Sequence, residues 1–161
     1  MAKPQRVSVC FWYENQAEEA ATLYTSLIDN SRITNVSRYG AGGPMPEGTA
    51  MMVAFELGGV AFHGLNGGPH YKLTPAASLI VECETQAEID HLWNTLTADG
   101  GKEVQCGWLT DRFGLSWQIV PAVMPSLMTG PDKAASGRAM KAMMGMVKLD
   151  IAALEAAYRG A

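Results

Sequence analysis

The stretch LIVECETQAEIDHLWNTL, residues 79–96, decides the fold prediction because it joins a strand pattern directly to a helix start. Its first residues alternate as one face of a strand does: Leu79, Val81 and Cys83. Thr85 and Glu88 then form the T-x-x-E sequence of a capping box, which marks a helix start. An apolar helical stripe follows at Ile89, Leu92, Trp93 and Leu96. The stretch therefore predicts a strand followed by a helix with one apolar face.

The same pattern occurs once more, about 70 residues earlier in the chain. VCFWYENQAEEAATLYTSLIDN begins at Val9, and its Gln-Ala-Glu at residues 16–18 is repeated at residues 86–88. Asn15 and Glu18 form a variant of the capping box. The strand face is predicted at Val7, Val9 and Phe11, and the helical stripe at Ala17, Ala20, Ala21, Tyr24, Leu27 and Ile28. The chain thus contains two copies of one unit.

Three strands are predicted after each helix. In the first copy they span residues 33–38, 50–57 and 60–65, with a hairpin turn at Gly58-Gly59. In the second copy they span residues 102–105, 107–110 and 115–120. Two further helices are predicted to begin at about Asp132 and Asp150. The predicted fold class is therefore α+β, with two βαβββ modules as curved sheets around a cavity, plus C-terminal helices.

We expect residues 1–161 to form a single domain with module one at about 5–67, module two at about 76–121 and a helical tail at about 122–161. The formal net charge of −4, without a basic patch interleaved with aromatic residues, argues against a nucleic acid partner. No apolar run has the length of a membrane span, and no signal peptide is evident, so we expect no membrane partner and a cytoplasmic location. The three cysteines form no C-x-x-C pair.

Four segments carry a resemblance to a known family: CFWYENQAEEAATLYTSL, GLNGGPHYKLTPAASLIVECETQAEIDHLWNTL, GGKEVQCGWLTDRFGLSWQIVP and MKAMMGMVKLDIAALEAA. From about Val7 to Ala157 the chain resembles the PhnB-like family of the vicinal oxygen chelate (glyoxalase/bleomycin resistance/dioxygenase) superfamily. That family is often labelled 3-demethylubiquinone-9 3-methyltransferase. The resemblance implies a glyoxalase-like fold, a homodimer and a cavity in each subunit that binds a small-molecule ligand.

The resemblance also indicates where a metal would be held, because the metalloenzymes of the superfamily place His and Glu ligands on four strands. The corresponding positions here are Ser8 or Val9, His63 or Asn66, Ser78, and Gln118. Hydroxyl and amide groups bind transition metals weakly compared with imidazole and carboxylate. We therefore predict no metal site and no cofactor, with a divalent metal held by His63 and its neighbours as the alternative.

The methyltransferase label implies a glycine-rich turn between a strand and a helix that binds S-adenosylmethionine. The glycine-rich segment YGAGGP, residues 39–44, is followed by Met-Pro rather than by a helix, so it lacks the context of a cofactor-binding turn. The leading prediction is a PhnB-like small-molecule-binding protein of uncharacterised activity without a strong metal site. Its alternatives are a metal-dependent lyase, isomerase or dioxygenase, and the 3-demethylubiquinone-9 3-methyltransferase of the label.

Candidate polar site residues each have a functional and a structural interpretation. Gln118 either hydrogen-bonds a ligand or is an amide satisfied by the backbone. His63 is a catalytic candidate as a base, a lone ligand or an orienting group, and otherwise structural. Glu82 shares a strand face with Ser78 and is either a base or a solvated strand end. Asn66 either presents its amide to a ligand or forms a tight turn.

Other candidates are aromatic or sulfur-containing. Trp12 and Trp108 are predicted ligand-binding walls or ordinary core. Cys10 shares a face with Ser8 and Trp12, so it is expected to line the site as an inert thiol rather than a catalytic one. The methionine-rich tail is expected to cover a partner subunit, with a lid over the cavity as the alternative.

Overall fold

A computed structural model describes residues 6–161, so the predicted start of module one near residue 5 lies outside the described residues. The chain divides into two compact units, the first ending at Leu73 and the second beginning at Thr74. Each unit has the predicted βαβββ order and one four-stranded mixed sheet. The α+β prediction is therefore confirmed.

The first unit contains one helix and one sheet. Its elements are β1 (Val9–Tyr13), α1 (Ala17–Leu27), β2 (Arg32–Arg38), β3 (Ala50–Leu57) and β4 (Val60–Asn66). The strand order is β1-β4-β3-β2, with β1 parallel to β4 and the other pairs antiparallel. Gly58 and Gly59 both have positive φ, of 55° and 83°, which the predicted tight hairpin between β3 and β4 requires.

Small residues let α1 pack closely on this sheet. The predicted stripe is buried at Ala17, Ala20, Ala21 and Tyr24. A Cβ at Gly64 on β4 would lie 3.1 Å from the Cβ of Ala17, so the helix approaches the strand where side chains are smallest. Beneath the helix, the ring of Phe62 stacks against Phe11 and Phe55, with centroids 5.7 and 5.6 Å apart.

The start of α1 differs from its prediction. Gln16 is the N-cap residue and makes no side-chain cap bond, so the predicted Asn15–Glu18 capping box is wrong. Glu18 instead forms an ion pair with Arg38, at 2.7 Å. The backbone N–H of Ala17 donates to Oδ1 of Asn66, at 2.9 Å. A long-range amide thus replaces the local cap that the sequence indicated.

The second unit repeats this arrangement. Its elements are β5 (Ser78–Cys83), α2 (Gln86–Thr97), a 3-10 turn (Ala98–Gly100), β6 (Lys102–Glu103), β7 (Trp108–Thr110) and β8 (Ser116–Pro121). The strand order is β5-β8-β7-β6, with β5 parallel to β8. The capping box of α2 is confirmed, since the Thr85 hydroxyl accepts from the N–H of Glu88 and the Glu88 carboxylate accepts from the N–H of Thr85.

The tail forms three helices, α3 (Met124–Thr129), α4 (Lys133–Met144) and α5 (Ile151–Arg159). Helices α4 and α5 begin where predicted, and the structure shows that Asp132 and Asp150 cap them, whereas α3 was not predicted. The tail packs around a small core of Leu127, Ala139, Leu149 and Leu154.

The tail is bound to the second unit of its own chain. The Gln86 side chain donates to the carbonyl of Leu149 and accepts from the N–H of Ile151. Lys148 pairs with Asp90 at 2.7 Å. Several contacts thus hold the segment between α4 and α5 against α2.

Candidate functional site

In each sheet the face opposite its helix, here called the far face, carries most of the predicted site residues. In the first unit, Phe11 and Tyr13 of β1 are buried on the helix side. Cys10 and Trp12 alternate with them and therefore lie on the far face. Because Cys10 is paired with His63 and Trp12 with Leu65, β4 adds those two side chains to this face.

Ser8 orients the imidazole of His63. The Ser8 Oγ lies 3.0 Å from Nδ1 of His63, and Cys10 is the direct cross-strand neighbour of His63. Partial desolvation raises the pKa of the Cys10 thiol, although hydrogen bonding from the Leu65 backbone opposes this. The thiol is therefore protonated at neutral pH, although Cys10 is exposed rather than buried.

The far face of the second sheet holds an equivalent pair. Nε2 of Gln118 donates to Oγ of Ser78, at 2.9 Å. Ile80 is the register partner of Gln118, just as Cys10 is that of His63. Each serine lies two positions before that register partner, so the pairs Ser8–His63 and Ser78–Gln118 occupy the same place in the two sheets.

Trp108 lies beside this second pair, whereas Glu82 does not. Trp108 is the cross-strand partner of Gln118 and shares its face. Glu82 is exposed on β5 and pairs with Val120, one rung beyond Gln118. The structure therefore brings Ser78, Gln118 and Trp108 together and leaves Glu82 closer to the strand end.

Trp12 packs on the turn that follows β4. Its Nε1 donates to the carbonyl of Gly68, at 2.8 Å, and its ring meets Tyr71 edge-on at a centroid distance of 4.9 Å. A Cβ at Gly67 would lie 2.2 Å from the Trp12 ring, so glycine is required there. The half-buried indole thus forms a fixed aromatic surface at one end of the first far face.

Asn66 has a structural role. Its side chain is 1% exposed, with Oδ1 accepting from Ala17 N and Nδ2 donating to the carbonyl of Ala50, both at 2.9 Å. These bonds tie the end of β4 to the start of α1 and of β3. The geometry favours the structural interpretation, and we propose no ligand contact for Asn66.

Asp111, which was not among the predicted site residues, positions β8. The Asp111 carboxylate is buried, and its Oδ1 accepts from the N–H groups of Phe113 and Leu115 at 2.9 and 3.0 Å. Its Oδ2 accepts from Nε1 of Trp117, at 2.9 Å. The carboxylate therefore fixes the turn that precedes Gln118. The sequence signal for this turn is an aspartate followed three residues later by a glycine, here Asp111 and Gly114.

The four positions at which the resemblance predicts metal ligands carry few strong donors. Only His63 among them has a strong donor, and its Nδ1 is already paired with Ser8. Within residues 6–161, no group of three or more His, Cys, Asp and Glu side chains is placed to hold a metal ion.

The glycine-rich loop does not fit S-adenosylmethionine binding either. It closes on itself through bonds from Tyr39 N to the Thr49 carbonyl and from Gly48 N to the Tyr39 carbonyl. The chain then enters β3 rather than a helix, so the loop does not lead into a helix N-terminus as a cofactor-binding turn does.

Comparison with known proteins places the chain in a family. The family model described as 3-demethylubiquinone-9 3-methyltransferase matches residues 5–120. The chain belongs to this family. The PhnB protein from Bacillus cereus, which carries the same label, is 38% identical, with a TM-score of 0.68 over 73% of this chain and 100% of that chain. No protein with a curated description matches.

More distant structures share the fold alone. Protein PA1353 from Pseudomonas aeruginosa is 19% identical, with a TM-score of 0.59 over 73% of this chain and 98% of that chain. A variant of the fosfomycin resistance protein FosX from Listeria monocytogenes, complexed with Mn(II) and 1S,2S-dihydroxypropylphosphonic acid, is 11% identical, with a TM-score of 0.51 over 74% and 93% of the two chains. The expected glyoxalase-like fold is therefore confirmed.

The family match ends before the tail begins. The resemblance was expected to continue to Ala157, but the family model stops at residue 120 and α3 begins at Met124. The helical tail thus lies outside the residues that the family model matches.

Proposed function

We propose that this PhnB-like family member binds a small organic molecule through far-face side chains, without a strong metal site. The observation that carries the proposal is the pair Ser78–Gln118, at 2.9 Å, with Trp108 beside it. A hydroxyl and an amide that are mutually oriented supply directed hydrogen bonds, and an indole supplies an apolar wall. Such a set suits a flat molecule with a polar substituent.

The chemistry of these groups favours binding over turnover. His63 is the one imidazole on the first far face among the described residues, and its neighbour Cys10 has a raised pKa, so no thiolate is ready to act as a nucleophile at neutral pH. Glu82 lies one rung away from Gln118 and Trp108. The available donors and acceptors orient a ligand but supply no assembled acid–base pair.

We also propose that the protein is a homodimer in the cytoplasm. Met140 and Met144 of α4 expose 42% and 63% of their surfaces, which gives the tail an apolar side available to a second copy. No helix within residues 6–161 is long and apolar enough to cross a membrane. Light scattering of the full chain tests the dimer, and a monomer at all concentrations contradicts it.

The first experiment measures metal content, followed by thermal shifts with Mn, Fe, Ni and Zn ions. The proposal expects no stoichiometric metal and no specific shift. About one ion per chain, lost in His63→Ala but retained in the control His91→Ala, would contradict it and support a metal-dependent lyase, isomerase or dioxygenase. His91 is a suitable control because it is exposed on α2.

The second experiment screens aromatic and quinone-like ligands together with S-adenosylmethionine by calorimetry. We expect Gln118→Ala to weaken binding of a hit about tenfold, because one directed hydrogen bond is lost, and Gln105→Ala to leave it unchanged. Gln105 is exposed and lies outside the far-face pairs. Saturable binding of S-adenosylmethionine would instead support the methyltransferase label.

A further inference from the structure

The far face of the second sheet carries a row of polar side chains that crosses all four strands. Ser78 pairs with Ser116, Ser116 with Thr110, and Thr110 with Lys102. Directly paired residues project from the same face of a sheet. The hydroxyl row is therefore composed of three hydroxyl groups and one ammonium group: Ser78, Ser116, Thr110 and Lys102.

Ser116 is the unexplained member of the hydroxyl row. It is only 2% exposed, and its Oγ has no hydrogen-bond partner among the described residues. Buried hydroxyls in native proteins nearly always have a partner, so this one needs an acceptor or donor that residues 6–161 do not provide. Its neighbours in the row, Ser78 and Thr110, are both half-buried, so the row is partly accessible to solvent on either side of Ser116.

The row offers hydrogen-bond donors, rather than acceptors, to a ligand. Oγ of Ser78 accepts from Nε2 of Gln118, which leaves the Ser78 proton free to be donated elsewhere. Lys102 has only donors, and its charge sits at the β6 end of the row.

Acidic groups are kept away from the row. Glu103, next to Lys102 in the chain, accepts from Nε1 of Trp93 at 2.7 Å and so faces the helix side. Glu82 shares the far face but pairs with Val120, two rungs from Ser116. The row therefore has donors and one positive charge without a carboxylate among its members.

We propose that the hydroxyl row binds a small oxyanion, the carboxylate or phosphate group of the ligand. This inference rests on the proposed function and names the polar group that the ligand carries. An oxyanion over the row accepts from the Ser78 and Thr110 hydroxyls and from the Lys102 ammonium, and it gives Ser116 the acceptor that it lacks. Hydrogen bonds to an ionised acceptor are stronger than those between neutral groups, which favours an anion over a neutral ligand group.

The unpartnered state of Ser116 makes the proposal sharply testable. A hydroxyl that bonds nothing in the free protein adds nothing to its stability, so Ser116→Ala should leave the melting temperature unchanged or raise it. The chain offers a matched control in Ser136, a second buried hydroxyl without a partner among the described residues, located on α4 of the tail.

The experiment titrates the full chain with inorganic phosphate and, separately, with acetate, at constant ionic strength set by sodium chloride. We expect saturable binding of at least one anion, weakened about tenfold by Ser116→Ala and by Lys102→Met. Ser136→Ala and Lys141→Met, the latter on the exposed side of α4, should bind as the unaltered protein does. Preference for phosphate or for acetate identifies the ligand group as phosphoryl or carboxylate.

Two results would overturn the proposal. One is an unchanged affinity in Ser116→Ala together with a lowered melting temperature, which would make the hydroxyl structural. The other is equal weakening by Lys102→Met and Lys141→Met, which would show unspecific attraction to surface charge. If an organic ligand binds through Gln118 while neither anion competes with it, this inference fails alone. If neither ligands nor anions bind, the proposed function fails as well.

Discussion

The Ser8 hydroxyl lies 3.0 Å from Nδ1 of His63, in the same place within its sheet as the Ser78 hydroxyl that accepts from Gln118. Ser78 on β5, and Ser8 one residue before β1, each precede by two positions the residue that pairs with Gln118 or with His63. The two copies thus share the serine hydroxyl but differ in its partner, which is an imidazole in the first sheet and an amide in the second. Replacing His63 by glutamine would therefore give the first sheet the same serine–glutamine pair as the second sheet.

We expect His63→Gln to fold with an unfolding free energy within about 1 kcal/mol of the unaltered protein, because Gln118 shows that an amide fits this geometry. Urea denaturation measures the change. His63→Leu is the matched variant that removes the bond to Ser8 but keeps an apolar body. A larger loss in His63→Gln than in His63→Leu would contradict the equivalence of the two pairs.

Replacing Asn66 should be costly. Asn66→Ala leaves the buried groups Ala17 N and Ala50 O without the side-chain partners that lie 2.9 Å away, so the unfolding free energy should fall by about 2–4 kcal/mol. Asn94→Ala, on the exposed side of α2, should change it by no more than about 0.5 kcal/mol. Denaturation curves that coincide for the two variants would show that the Asn66 amide is dispensable.

The two helix starts should respond differently to loss of the side chain before them. Thr85→Ala removes a complete capping box and should cost about 1 kcal/mol. Gln16→Ala removes a side chain that makes no cap bond and should cost less than about 0.5 kcal/mol. Thermal unfolding of both variants measures the contrast. Equal losses would contradict the assignment of the α1 cap to Asn66.

The contact between tail and α2 should weaken in acid. Bonding to Lys148, and then to Gln86, lowers the pKa of Asp90. Because the folded value is below the unfolded one, the stabilisation is present above the unfolded pKa and is lost as pH falls through the folded pKa.

Carboxyl NMR titration should therefore place the Asp90 pKa lower in the unaltered protein than in Lys148→Met. The exposed Lys141→Met serves as the control and should leave that pKa in place. An Asp90 pKa that does not move in Lys148→Met would show that the ion pair is not populated in solution.

Cysteine reactivity should separate the two strand thiols. Desolvation, and then the charge of Glu88, raises the pKa of Cys83 to about 11, and Cys83 is buried on the helix side. Cys10 has a raised pKa but is exposed. Iodoacetamide at pH 8 should label Cys10 at least about tenfold faster than Cys83, since alkylation needs an accessible thiolate.

Mass spectrometry of the labelled peptides gives the two rates. In urea both thiols should react at similar rates, which controls for differences in intrinsic chemistry. Faster labelling of Cys83 in the folded protein would mean that the second strand opens more readily than its packing indicates.

Local features of the fold were predictable from the sequence. The βαβββ duplication, the Thr85 capping box and the helix starts near Asp132 and Asp150 were predicted correctly, because each depends on residues within one turn or one strand. The Gly58-Gly59 hairpin belongs to the same class, since its positive φ values are a local requirement. The short helix α3 was missed because only six residues form it.

The tertiary structure decided everything that depends on a partner distant in the sequence. The sequence placed the cap of α1 at Asn15, whereas the fold supplies Asn66 from the end of β4. It marked Ser78 and Gln118 separately, but only the register of β5 against β8 joins them and sets Ser116 beside Ser78. Strand registers are fixed by packing across the whole sheet, so side-chain hydrogen bonds between residues 40 or more positions apart follow from the fold rather than from any local pattern.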